Sequence, residues 1–180
     1  MTSEEPYEPM RRVVTGENAK GRSVIVSDAT ITDWVRRPTG LSITEIWRTD
    51  SLPARTGDMP SPPEGVLAAP TGQGVAFRIA VFPPDGGTNP EQMAEYEASM
   101  RDLYGDQGGQ QASEVAGMHR TDTIDVMAII DGELCLLLDE GETVLRPGDF
   151  LVQRGTRHAW RNRSDHSCTV VTAMLPAARE

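Results

Sequence analysis

The 180-residue chain is short of several things, and each shortage closes off a class of protein. Aromatic residues make up only 5%, and no apolar run approaches the ~20 residues that a membrane-spanning helix needs. Lysine is almost missing, Lys20 standing alone beside sixteen arginines. Positive charge is also outweighed: the net charge is −10 and the sequence pI about 4.8. A surface this acidic repels phosphate backbones and anionic lipid, so neither nucleic acid nor membrane is expected as a partner. Cysteine is reduced to Cys135 and Cys168, both inside apolar, strand-like segments. Two buried free thiols are expected there rather than a disulfide, which fits a reducing, cytoplasmic location. The first ten residues are acidic and lack an apolar stretch, so they do not read as a secretion signal. Also missing are G-x-G-x-x-G after a strand, G-x-x-x-x-G-K-[ST], C-x-x-C and G-x-S-x-G. Nucleotide, thiol-redox and α/β-hydrolase chemistry therefore have no motif to rest on.

What is plentiful is punctuation. Seventeen glycines and thirteen prolines against 38% apolar residues favour many short strands joined by turns. The length suits one domain with a proper core. Residues 1–12 are polar and expected to form a flexible tail. Residues 13–112 are expected to supply N-terminal strands, a loop and a helix that pack on a barrel core at 113–176. Val13-Val14 and Ser23 to Val26 flank a glycine-bearing loop and predict a hairpin. Residues 41–48 alternate, with Leu41, Ile43, Glu45 and Trp47 on one face, and Val75 to Phe82 reads as a further strand. Between them, Ser51 to Thr71 holds five prolines and no period, which predicts a long loop, either a lid or a surface crossing.

One helix is expected, over 90–104. Asn89 is its cap, Pro90 its first residue and Gln92 the capping-box partner, with Gly105 as a stop. Met93, Tyr96, Met100 and Leu103 form one apolar stripe, read as core packing or a dimer contact. Beyond Gly117 six short strands follow in quick succession. They are Val126 to Ile130, Glu133 to Leu138, Thr143 to Leu145, Phe150 to Gln153, His158 to Arg161 and Cys168 to Leu175. Tight turn signals separate them, so this half is a barrel or a sandwich.

Two of the three histidines, His119 and His158, stand at strand starts in this half. Thr121, Thr123 and Asp125 share the parity of His119, and Trp160 and Asn162 that of His158. Polar side chains turned into a small barrel are costly unless they are paired or bind a metal.

The segment H-R-T-D-T-I-D-V-M-A-I-I-D-G resembles the first motif of the cupin superfamily. His119 stands at the first ligand position, Thr121 at the second, Asp125 at the glutamate and Gly132 at the closing glycine. The segment P-G-D-F-L-V-Q-R-G-T-R-H-A-W-R-N resembles the second motif through Gly148, Gly155, His158 and Asn162, with Arg154 where proline is usual. The resemblance covers roughly 116–175. It implies an all-β, cupin-type jelly-roll (double-stranded β-helix) barrel with extra N-terminal strands and one short helix, pairing as a homodimer.

It further implies a divalent metal ion (Fe, Mn, Zn or Ni) held by His119, His158 and Asp125, with Thr121 a weak fourth donor in place of a histidine. Two imidazoles and one carboxylate with open positions suit non-heme iron chemistry and also manganese or zinc. The expected activity is oxygenation, decarboxylation, dehydration or isomerisation of a small oxygenated organic molecule. Asp125 would be the general base if it is not a ligand, and Trp160 would be a pocket wall at the reacting centre. Arg78 and Arg161 are candidates, with Trp160, for binding the substrate. The alternative is a non-catalytic, small-molecule-binding cupin that has lost its metal.

Overall fold

The computed structural model describes residues 9–32, 34–59, 69–70, 73–104 and 115–179. Eleven strands and one α-helix run along the described chain. The first two strands, β1 (Arg11–Glu17) and β2 (Ser23–Thr30), form the expected hairpin as a two-stranded sheet of their own. Its turn is fixed by Asn18, whose side chain accepts hydrogen bonds from the Lys20 and Arg22 amides.

A six-stranded antiparallel sheet follows. Its strands are β3 (Trp34–Arg36), β4 (Ser42–Thr49), β5 (Val75–Phe82), β6 (Thr123–Asp131), β9 (Phe150–Gln153) and β11 (Cys168–Pro176), and their spatial order is β3-β4-β5-β11-β6-β9. The second sheet has three strands, β7 (Leu134–Leu138), β8 (Glu142–Leu145) and β10 (His158–Arg161), ordered β10-β7-β8. The strands are short because a tight turn interrupts each one. Gly132, Gly141 and Gly148 all take positive φ at hairpin ends, and at Gly132 a Cβ would sit 2.5 Å from the Ser167 carbonyl oxygen. The two sheets face each other as the walls of a jelly-roll barrel, an all-β architecture with a single short helix. Their core is Met127, Ile129, Leu134, Leu145, Cys168 and Val170, with Phe82, Leu151 and Trp160 packed against it. Both thiols are free and buried in this region, and burial pushes Cys168 up to about 11.

The strands expected beyond Gly117 all form, each within a few residues of its expected ends. Three features depart from the sequence reading. β3 lacks a periodic signal because only three residues pair, Trp34 to Arg36 against Thr44 to Ser42. In β4 the expected alternation holds from Leu41 through Glu45, which turns inward beside Arg78, and fails only at a bulge between Glu45 and Trp47. Finally, β3 to β5 are hydrogen-bonded members of the larger sheet, next to β11.

The helix α1 (Pro90–Tyr104) has the expected bounds and cap. The Gln92 amide donates to the Asn89 side-chain oxygen and the Asn89 amide to the Gln92 side chain, both at 2.9 Å. Met93 and Tyr96 of its stripe are turned toward the barrel mouth, where they line a small cleft with Phe82 and Trp160. Met100 and Leu103 have side chains outside the described set. Most of the Pro-rich loop (60–68 and 71) and the N-terminal residues 1–8 also lie outside it, and the described loop residues 51–59 are exposed. No helix among the described residues is long and apolar enough to cross a membrane.

Candidate active site in the barrel

The two histidines meet. The His119 amide donates to the His158 carbonyl at 2.9 Å and the His158 amide returns the bond to His119 at 2.8 Å, joining the segments antiparallel. Facing positions in such a pair present side chains to the same side, and the ring centroids lie 4.4 Å apart, tilted by 51°. The sharp approach to His158 depends on Gly155, which has φ +61°. A Cβ at that residue would stand 2.9 Å from the Thr121 carbonyl oxygen.

Each imidazole is oriented by the same device. His119 Nδ1 lies 2.9 Å from the Gly117 carbonyl oxygen, and His158 Nδ1 lies 2.9 Å from the Thr156 carbonyl oxygen. A carbonyl oxygen only accepts, so this contact favours a protonated Nδ1 with the lone pair on Nε2 in each ring, although at His158 the Gln153 amide nitrogen, a donor, also lies 3.1 Å from Nδ1. Burial depresses both basicities, His158 to about 3, with the nearby His119 adding to the effect. Both rings are therefore neutral at physiological pH, as a metal-binding or proton-accepting imidazole must be.

The inner face of the larger sheet supplies the rest. Its cross-strand register sets Gln153, Asp125 and Met174 in one row, and Met127, Thr172, Arg78 and Glu45 in the next. Asp125 is 7% exposed, and its Oδ1 has no hydrogen-bond partner among the described residues. Desolvation raises its pKa, against the opposing pull of a Thr123 hydrogen bond and the Arg78 charge. Arg78 is 5% exposed and donates through Nε to Glu45 Oε2 at 3.0 Å, while Arg48 grips the same carboxylate in a two-pronged pair. Thr121 Oγ1 lies 2.7 Å from Thr123 Oγ1.

These groups enclose a cavity of ≈110 Å³ lined by His119, His158, Asp125, Thr121, Arg78 and Trp160, together with Arg37, Tyr96 and apolar side chains. Trp160 stands edge-on to His158, with centroids 5.4 Å apart, and forms one wall. Arg161 belongs elsewhere. Its guanidinium donates to the Ala116 and Trp160 carbonyls and lines the outer cleft under α1, not the histidine cavity. Asn162 ties the barrel by donating to the Phe82 and His166 carbonyls.

Among the described residues, no group of three His, Cys, Asp or Glu side chains is gathered closely enough to hold a metal ion. Two imidazole donors are thus in place, and Asp125 shares their cavity without completing a cluster with them.

Three residues in or beside the cavity carry little sequence signal. Arg37 precedes a Pro-Thr-Gly turn that resembles any other. Tyr96 reads as ordinary helix stripe. Gln153 occupies the position two residues before Gly155. Counted back from that glycine, it and not Arg154 holds the proline place of the second motif, and Arg154 is exposed. Gln153 is 3% exposed, and its amide nitrogen donates to Thr156 beside the His158 ring.

Residues 108–174 match the family profile of the cupin domain. The chain carries a cupin domain. Curated relatives share short, well-matched stretches with it. One is the phomopsin biosynthesis cluster protein C' of Diaporthe leptostromiformis, 58% identical over 48 residues, or 26% of this chain and 25% of that protein. Another is the cupin-domain-containing oxidoreductase virC of Hypocrea virens, 43% identical over 49 residues, or 27% and 25% of the two chains. The matches span about a quarter of the length of these relatives. Among solved structures, the putative ethanolamine utilization protein Q of Salmonella typhimurium aligns over 95% of this chain and 99% of its own, at 11% identity and TM-score 0.45. A cupin 2 conserved barrel domain protein from Salinispora arenicola aligns over 79% and 82%, at 16% identity and TM-score 0.43.

Proposed function

We propose that this cupin is a metal-dependent enzyme of the oxidoreductase type acting on a small oxygenated organic molecule. His119 and His158 hold a divalent ion (Fe, Mn, Zn or Ni) through Nε2, with Asp125 as the carboxylate partner. Thr121, already engaged with Thr123, contributes little. The observation that supports this most is the pair of facing neutral imidazoles, each with Nδ1 held against a backbone carbonyl. The orphaned Oδ1 of Asp125 is a buried acceptor for which the described protein offers no donor. A bound ion would act as a Lewis acid toward a carbonyl, enolate or carboxylate oxygen. Where Asp125 does not ligate the ion, it is the group that accepts or returns a proton, and Trp160 walls the reacting centre. The name of the virC relative favours oxidation over the lyase and isomerase chemistries open to the fold.

Metal analysis of protein purified without added ions tests this reading. About one ion per chain, stripped by chelator and restored on reconstitution, is expected. Less than ~0.1 per chain with no rescue sinks it.

A second reading, a metal-free small-molecule-binding cupin, is favoured because no three-ligand cluster is found among the described residues. It predicts thermal stabilisation by small acids with indifference to divalent ions and chelator. In either reading the protein works as a homodimer in the cytoplasm. The free thiols and the exposed apolar residues Ile130, Phe150 and Val152 on the larger sheet support this assembly and location.

A further inference from the structure

The antiparallel bridge that joins His119 to His158 has a second side. Its two segments stay together beyond the histidines, because a Cβ at Gly155 would stand 2.9 Å from the Thr121 carbonyl oxygen. In such a pair the residue after one member lies opposite the residue before the other, and both point to the reverse face. Arg120 and Arg157 hold those places. Two guanidinium groups are thus set across from each other on the outer surface of the wall whose inner surface carries the two imidazoles.

Like charges directly opposite each other destabilise a strand pair, and little here offsets the repulsion. The Nε atoms of Arg120 and Arg157 are both buried, and neither has a hydrogen-bond partner among the described residues. Asp139, just past the end of β7, offers Arg157 Nε a carboxylate oxygen at 3.6 Å, beyond hydrogen-bond length, and its side chain is 58% exposed. Asp122, two residues after Arg120, is engaged by Arg179. A buried N–H without an acceptor is costly. Two of them, on facing residues of one charge, mark a place for an anion, and both residues are only half-buried, so a solute can reach them.

The kind of anion follows from the donors. The Nε–H and one Nη–H of a guanidinium form a fork that matches two oxygens. A carboxylate has two oxygens and satisfies one fork. A phosphate group presents three or more, enough to accept from both forks at once, and its charge of about −1.5 to −2 near pH 7 matches two guanidinium groups.

We infer that Arg120 and Arg157 form a binding site for phosphate, free or as a small phosphomonoester, on the outside of the barrel wall behind the histidines. The bound anion accepts from the two orphaned Nε–H groups and displaces Asp139 into solvent. It also removes the repulsion across the bridge, so filling the outer site steadies the pairing that aims both imidazoles. The site is independent of any metal in the barrel.

Calorimetric titration of the full chain, as purified and after chelator treatment, tests the assignment with inorganic phosphate, glycerol 3-phosphate, acetate and chloride. At least one of the two phosphates is expected to bind about tenfold or more tightly than acetate and chloride, and the tighter of the two names the source. Arg120→Met and Arg157→Met should each weaken that binding about tenfold, whereas Arg120→Lys, a charge without a fork, should weaken it less. Asp139→Asn should tighten it about threefold, because the competing carboxylate is gone. Hydrogen exchange at the His119 and His158 amides should slow when phosphate is bound.

Phosphates that bind no better than acetate, binding unchanged in both methionine variants, or an Asp139→Asn chain that binds no more tightly would overturn the inference. So would amide exchange indifferent to phosphate, or affinity lost on chelator treatment, which would place the anion on an ion inside the barrel. If the methionine variants fail to fold, Arg120→Lys and Asp139→Asn still decide.

Discussion

The two faces of the six-stranded sheet differ from those of an ordinary half-buried sheet. An antiparallel sheet usually turns apolar residues inward and polar residues to water. Here the buried face mixes Thr123, Asp125, Gln153, Thr172, Arg78 and Glu45 with the core residues Met127, Ile129, Cys168 and Val170, whereas the outer face exposes Ile124, Val126, Ile130, Phe150, Val152, Leu175 and Phe77. The register puts Val152, Val126, Ala173 and Phe77 in one continuous outer row. A polar interior is expensive and is tolerated where it does chemistry. An apolar exterior of this extent is tolerated where another surface covers it. On the proposed reading the labour of the sheet divides, the inside binding a small molecule and the outside a second chain.

The comparison can be broken from either side. The largest effect is expected from His158→Ala, which deletes one of two facing imidazoles. Metal affinity, read by equilibrium dialysis, should fall beyond the ~10–100-fold that loss of an outer hydrogen-bond partner costs, and an unchanged affinity would remove His158 from the site. Next comes Gly155→Ala. It forces a side chain into a positive-φ position and against the Thr121 carbonyl oxygen, so urea unfolding should show a loss of about 2–4 kcal/mol. On the outer face, Phe150→Asp with Val152→Lys should shift sedimentation from dimer to monomer and leave metal content unchanged, and a monomeric wild type would refute the covered-face reading. On the inner face, Asp125→Leu removes a buried acceptor without a donor. Stability should rise by about 1–2 kcal/mol while metal binding weakens. The two faces would then answer to different assays, one to affinity and the other to assembly.

A smaller effect sharpens the picture of the interior through pH. The folded-state pKa of His158 lies at about 3, and that of His119 is also lowered. The unfolded chain, with histidines near the usual ~6.5, binds more protons below that value. Stability from these rings is thus complete above pH ~6.5 and drains away toward pH ~3, by at most about 1.4 kcal/mol per pH unit per ring. Asp125, raised, acts in the opposite sense, its contribution being lost as pH rises from the usual carboxylate range through its folded value. Urea midpoints at pH 7.5 and 5.5 should therefore differ more for the wild type than for His158→Leu, and equal differences would contradict a neutral buried ring.

The barrel was legible in the sequence because its signals are local. Each strand after Gly117 is bounded by a glycine-bearing turn, and the parity from His119 to Asp125 is uninterrupted, so the four inward residues follow from a period of two. The second motif fixed the arrival of His158 because Gly155 and Asn162 both have backbone duties there. What stayed hidden depends on relations between distant segments. Arg37 reaches the cavity only because β3 and β4 join the larger sheet, and Trp47 leaves the face of Glu45 only because a bulge breaks the alternation of its strand. Arg161 shares a strand with the site yet is drawn off by the Ala116 carbonyl, which no spacing reveals.

Gly117 belongs to two structures at once. Its amide donates to Glu97 of α1 at 3.0 Å, and its carbonyl accepts the proton of His119 Nδ1. The helix beside the barrel mouth and the imidazole inside it are therefore anchored to the two peptide groups that meet at one α-carbon. A shift of that helix would be felt at the bond that keeps one ring aimed.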